Sequence, residues 1–110
     1  MTGVEISRNG DRARVDLGGS LTEADIPDLQ PALHREIAAG VREMAFDMAR
    51  TVSIDSSGIG LLLAAVNSIK RSRGEIRLLN VSVEIQALFR SLGLSSILHV
   101  TPADKDAVHG

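Results

Sequence analysis

Residues 12–17 alternate polar and apolar, with Arg14 and Asp16 interleaved between Val15 and Leu17. Period-two patterning of this kind predicts a half-buried strand. Val4 to Ser7 reads as a partner strand, and Asn9-Gly10-Asp11 between the two is a hairpin signal. Gly18-Gly19 ends the second strand. From Asp25 the period becomes helical, with Ile26, Leu29, Leu33 and Ile37 falling at three- and four-residue steps. Asp25 suits an N-cap, Asp28 adds negative charge to the first turn, and Pro27 is tolerated that early. Gly40 suits the position just past the helix. Pro31 breaks the rule for helix interiors and predicts a lost backbone hydrogen bond and a kink.

Arg42 to Ala49 reads as a strand with Met44, Phe46 and Met48 on one face, and the chain stays extended from Thr51 to Ile54. Residues 58–73 predict a helix that is apolar on nearly every side, ended by Gly74. Lys70, Arg71 and Arg73 crowd its last turns, where cations offset the negative end of the helix dipole. Glu75 to Leu79 is a further strand. Ser82 caps a third helix whose buried stripe is Ile85, Leu88, Phe89 and Leu92, with Gly93 at its end. Leu94 and Ile97 to Val100 give a last short strand or helical turn. Residues 101–110 carry no apolar period and read as a flexible tail after a domain spanning 1–100. Strands alternating with helices after residue 20 predict an α/β fold with parallel strands and helical crossovers, to which the opening hairpin adds an antiparallel member.

A chain of 110 residues, 44% of them hydrophobic, supports one domain with a modest core. Composition removes several function classes. The formal net charge of −2 gives no general attraction to nucleic acid or anionic membrane. Phe46 and Phe89 are the only aromatics, so there is no platform for base stacking. There is no cysteine, and His34, His99 and His109 are scattered, so neither a thiolate nor a metal cluster is expected. No apolar run is long enough to span a bilayer, and the N-terminus lacks a basic stretch leading into an apolar one. A cytoplasmic protein without cofactor is the expectation.

Catalytic signatures are also missing. A nucleophile elbow needs glycine two residues before and two after its serine. Ser56 has Ile54 and Gly58 at those places, and Ser57 has Asp55 and Ile59. Gly58-x-Gly60 lacks the third glycine of a dinucleotide loop, with Leu63 standing there. What remains is the run Ile54-Asp55-Ser56-Ser57-Gly58-Ile59-Gly60-Leu61-Leu62-Leu63, which places two hydroxyls where a helix begins. Capping alone is a sufficient reason for serine there. Two features suggest more. The apolar helix pins the turn to the core, and Gly58 and Gly60 strip side-chain bulk from around the hydroxyls, leaving room for another protein.

The same run resembles the signature of the STAS domain family, and specifically its anti-sigma factor antagonists. Gly19-Ser20-Leu21 and Ala24-Asp25-Ile26-Pro27-Asp28-Leu29 before it resemble the family pattern. So do Phe46-Asp47, Gly74-Glu75-Ile76-Arg77-Leu78, and Leu88-Phe89-Arg90-Ser91-Leu92-Gly93-Leu94, which extends the likeness over residues 4–100. The resemblance implies a single domain with a mixed, mostly parallel sheet of four to five strands and helices on one face. It implies a non-enzymatic switch. The unphosphorylated chain binds an anti-sigma factor that is a serine kinase of the histidine-kinase-like ATPase type, and sigma factor is released. Phosphorylation of Ser57, with Ser56 as the alternative acceptor, ends the binding, and a PP2C-type phosphatase restores it. Docking is expected at Asp55, Ser56, Gly58, Ile59 and Leu61 and at the loop Gly19, Ser20, Leu21 and Thr22, with at least one of Ile59 and Leu61 in the core. The alternative implied by the family is an adaptor subunit of a transport or stress-sensing complex with no sigma-factor role.

Overall fold

The computed structural model describes residues 4–102. β1 (Glu5–Asn9) and β2 (Arg12–Asp16) form the opening hairpin, and β2 is followed across the sheet by β4 (Glu43–Asp47), β6 (Glu75–Val81) and β7 (His99–Pro102), each parallel to the strand before it. The spatial order is β1-β2-β4-β6-β7, with only β1 antiparallel. The connections carry α1 (Ile26–Ala38), α2 (Ser56–Arg71) and α3 (Val83–Ser91). A separate two-residue parallel ladder joins β3 (Ser20–Leu21) to β5 (Ser53–Ile54). The fold is therefore the expected α/β domain with a mixed five-stranded sheet.

Alternation along the strands decides which face the helices cover. Ala13 and Val15, Met44 and Phe46, and Ile76 and Leu78 are buried in register across β2, β4 and β6. Arg12, Arg14, Glu43, Glu75 and Arg77 point the other way and are exposed. The helices pack on the first face, where Leu29 and Leu33 of α1, Leu62 and Ile69 of α2 and Phe89 of α3 complete the core. Burying each such side chain fully stabilises the fold by about 1.5–3 kcal/mol.

Several local expectations shift. The hairpin loop is Gly10-Asp11, because Asn9 already pairs with Arg12. Gly10 has a φ of 64° while Asp11 stays on the ordinary side, so glycine occupies the first central position, as a type II′ turn requires. α1 begins at Ile26, after a 3-10 turn over Glu23–Asp25, and continues through Pro31 to Ala38. The Pro31 ring is on the exposed side, and its missing donor would have served Pro27 in the first turn. Ser82 caps α3 as expected, its Oγ accepting from Ile85 N at 3.2 Å. Leu92, however, is 51% exposed and leaves the buried stripe, because α3 ends at Ser91 and the chain turns away through Gly93 at a φ of 73°. Thr101 and Pro102 belong to β7 and so to the sheet; the remainder of the expected tail lies outside the described residues.

Asp47 interrupts the charged face of the sheet with a buried carboxylate. Its Oδ1 accepts from Asn80 Nδ2 at 3.1 Å and from Ala49 N at 2.9 Å, and its Oδ2 pairs with the Arg14 guanidinium. Burial pushes the Asp47 carboxyl up. The hydrogen bonds from Asn80 and Ala49, with the Arg14 charge, outweigh it and hold the pKa below the ordinary carboxylate value. The ionised form is thus favoured more in the folded chain than in the unfolded one, where the pKa is about 3.9. Stability from this group is complete above that value and is lost as pH falls through the lower folded pKa. Denaturant melts of Asp47→Asn are expected to show lower stability than wild type at neutral pH and a flatter acid limb below about pH 4. An unchanged acid limb would assign the pH dependence to other carboxylates.

Candidate functional site

β5 ends at Ile54, and Asp55 stays extended (φ −102°, ψ −179°) before α2 starts at Ser56, two residues earlier than the sequence pattern predicts. Asp55 is the N-cap. Its Oδ1 accepts from Gly58 N at 2.8 Å and its Oδ2 accepts from Glu23 N at 3.0 Å. Ser56 and Ser57 are therefore the first and second helical residues, and neither caps the helix. The backbone N–H groups of Gly58 and Glu23 hold the Asp55 carboxyl below its ordinary pKa, so it stays charged.

The bridge to Glu23 ties the start of α2 to the turn before α1. That turn is closed by its own reciprocal cap, with Thr22 N donating to Asp25 Oδ2 at 2.9 Å. The two segments are laced further: Val52 N donates to Gly19 O at 2.9 Å, and Asp55 N to Leu21 O at 3.2 Å. Thr51, only 1% exposed, donates through Oγ1 to Gly18 O at 2.8 Å. The expected docking loop at Gly19 to Thr22 does lie against the serine turn. Sequence spacing carried no sign of these cross-links; only the family likeness put the two segments together.

The expected contact residues divide. Gly19, Ser20 and Ser56 are exposed, and Thr22, Asp55, Ser57 and Ile59 are partly exposed. Leu21 and Leu61 are not available to a partner, at 0% and 6% exposure, because they fill the core beneath the corner. Gly58 is buried as well. A Cβ there would clash with the Leu21 carbonyl oxygen and come within 2.9 Å of Ile54 Cγ1. Its lack of a side chain lets α2 close on β3 and β5, an internal need in place of the expected clearance for a visitor. Gly60, by contrast, is exposed with nothing near a Cβ. Val52, absent from the expected set, is 78% exposed beside Gly19.

The corner presents hydroxyls beside the carboxylates of Asp55 and Asp25. Segments 15–34 and 51–69, which build it, contain no Lys or Arg. Among the described residues no group of three or more His, Asp or Glu is placed to hold a metal ion, and no helix is long and apolar enough to cross a membrane.

Residues 4–107 match the family description STAS domain. This chain belongs to the STAS domain family. The STAS domain is 29% identical over 86 residues to an anti-sigma-B factor antagonist of Staphylococcus aureus, covering 78% of this chain and 80% of that one. Its fold superposes on the Bacillus cell fate determinant SpoIIAA in the phosphorylated form with a TM-score of 0.75, at 19% identity and 96% coverage of both chains. It also superposes, with a TM-score of 0.71 at 17% identity, on part of the murine anion transporter Slc26a9, covering 94% of this chain but 18% of that one. Such a range of hosts means that the fold alone does not assign a role.

Proposed function

We propose that this STAS domain is an anti-sigma factor antagonist whose binding is switched off by phosphorylation of Ser57. The observation that carries the reading is the identity of the cap. Asp55 takes the capping position, so the two serine hydroxyls are left over on a corner that the backbone ladder holds rigid. Likeness to an anti-sigma-B factor antagonist over four-fifths of that relative's length supports the partner class. The unphosphorylated chain binds an anti-sigma factor of the histidine-kinase-like ATPase type, sigma factor is freed, the kinase transfers the γ-phosphoryl of ATP to the Ser57 hydroxyl, and a PP2C-type phosphatase resets the chain. The STAS domain contributes the acceptor and the docking surface, and the kinase contributes the catalysis.

Phosphate on Ser57 adds about −1.5 to −2 charge at pH 7. The start of α2 stabilises it, the charged Asp55 opposes it, and the two surrounding segments supply no cation. The fold neither gathers the phosphate in nor unfolds around it, so the new charge confronts the docked partner. Incubation with ATP and the candidate kinases of the same genome, followed by mass spectrometry, is expected to find one phosphate, on the Ser57 peptide, and none in Ser57→Ala. Phosphate on Ser56 alone would move the acceptor by one residue. No phosphate with any such kinase would favour the adaptor role.

A further inference from the structure

Val52 is the most exposed large hydrophobic residue among those described, at 78%. An exposed valine in a slack loop needs no explanation, but this one is held on both sides. Its own N–H is bound to Gly19 O at 2.9 Å, and the residue before it, Thr51, is buried and fixed through N–H to Met48 O at 3.0 Å and Oγ1 to Gly18 O at 2.8 Å. The residue after it, Ser53, is paired with Ser20 in the small ladder. Gly19, which accepts the Val52 N–H, and Ser20, which pairs with Ser53, are both exposed and small. A rigid apolar knob therefore stands clear of its surroundings, on the segment that leads through β5 into the serine turn.

We propose that Val52 is an apolar anchor of the partner-docking surface, seated in a hydrophobic socket of the protein that reads Ser57. The inference rests on the binding-switch reading above and adds to it where the contact energy comes from. Ser20, Ser53, Ser56 and Asp55 offer hydrogen bonds, which gain little net over those to water. Apolar area does better, and a β-branched side chain on a fixed backbone loses little rotamer freedom when it is covered. The anchor and the switch are separate parts of one surface: Val52 supplies affinity in the unmodified state, and Ser57 supplies the veto.

The test uses the full chain and purified histidine-kinase-like anti-sigma factors of the same genome, loaded with ADP so that no phosphate is transferred, with affinity measured by calorimetry. Val52→Ser is expected to weaken binding about tenfold and Val52→Asp more, while Val52→Ile binds as wild type does. Leu92→Ser, a control at the far end of α3 and 51% exposed in the wild type, is expected to leave binding unchanged. All four should melt like wild type. Equal affinity of wild type and Val52→Ser would overturn the anchor while leaving the switch intact. A loss shared by Leu92→Ser, or tracking a lower melting temperature, would also overturn it. Failure of the wild-type chain to bind any of these kinases would remove the switch reading itself, and the anchor with it.

Discussion

Ser57→Asp is expected to bind the partner kinase at least about a hundredfold more weakly than wild type, equivalent to roughly 3 kcal/mol, with no loss of fold. The helix start accounts for the second half of this expectation. Ser57 is the second residue of α2, where a carboxylate is favoured by about 0.3–1 kcal/mol against the helix dipole. Asp55 beside it is already ionised and works in the opposite direction. The two effects leave the melting temperature within a few degrees of wild type. Binding does not share this cancellation, because a charge left unpaired against a docked surface costs several kcal/mol. Calorimetric titration beside a thermal melt separates the two. Wild-type affinity in Ser57→Asp would show that charge at this hydroxyl does not govern docking. Weak binding accompanied by a much lower melting temperature would show a folding defect in place of a switch.

Gly58→Ala is expected to be the most damaging single-methyl change at the corner. The added Cβ meets a backbone oxygen, that of Leu21, and two packed side-chain atoms, Ile54 Cγ1 at 2.9 Å and Leu21 Cγ at 3.0 Å. A flexible side chain could swing aside, but the Leu21 carbonyl cannot, since it accepts from Asp55 N at 3.2 Å. Relief requires α2 to lift off the small ladder, loosening Leu61 and Leu62 at the core. Overpacking of this kind costs about 2–3 kcal/mol, on the order of 10–20 °C in melting temperature for a domain of this size. Gly60→Ala, with nothing near its Cβ, serves as the control and should melt at or above wild type. A wild-type melting temperature for Gly58→Ala would mean that the helix start is not packed as described.

The sequence made the strands and helices legible because their periods differ sharply. Val15 and Leu17 against Arg14 and Asp16, and Met44, Phe46 and Met48 in step, gave sheet faces that burial confirms. The boundaries were harder to place. The sequence pattern places the start of α2 two residues late because serine and aspartate both cap well, and propensity alone does not say which of three adjacent polar residues takes the position. The contact to Glu23 N decides for Asp55, and it comes from a residue 32 positions away. The docking set implied by the resemblance includes Leu21, which long-range packing buries, and Leu61, which is the core member expected of the pair Ile59 and Leu61; the same packing, invisible to spacing, gives Gly58 its internal role. Leu92 failed for a local reason: helical spacing continues past the residue at which the helix ends. Val52 carries no sequence signal, because a single valine between polar neighbours looks like any strand residue until its surroundings are known.

The clash that forbids a side chain at Gly58 has an evolutionary corollary. The residue answers to the architecture, and, on the reading proposed above, the two hydroxyls before it answer to the signalling partner. A descendant recruited into some other assembly is free to exchange Ser56 and Ser57 for whatever its new task requires, yet it must retain the glycine to close the same corner. Among related sequences the glycine should therefore mark shared ancestry of the fold, and only the serines should report whether the toggle has been inherited.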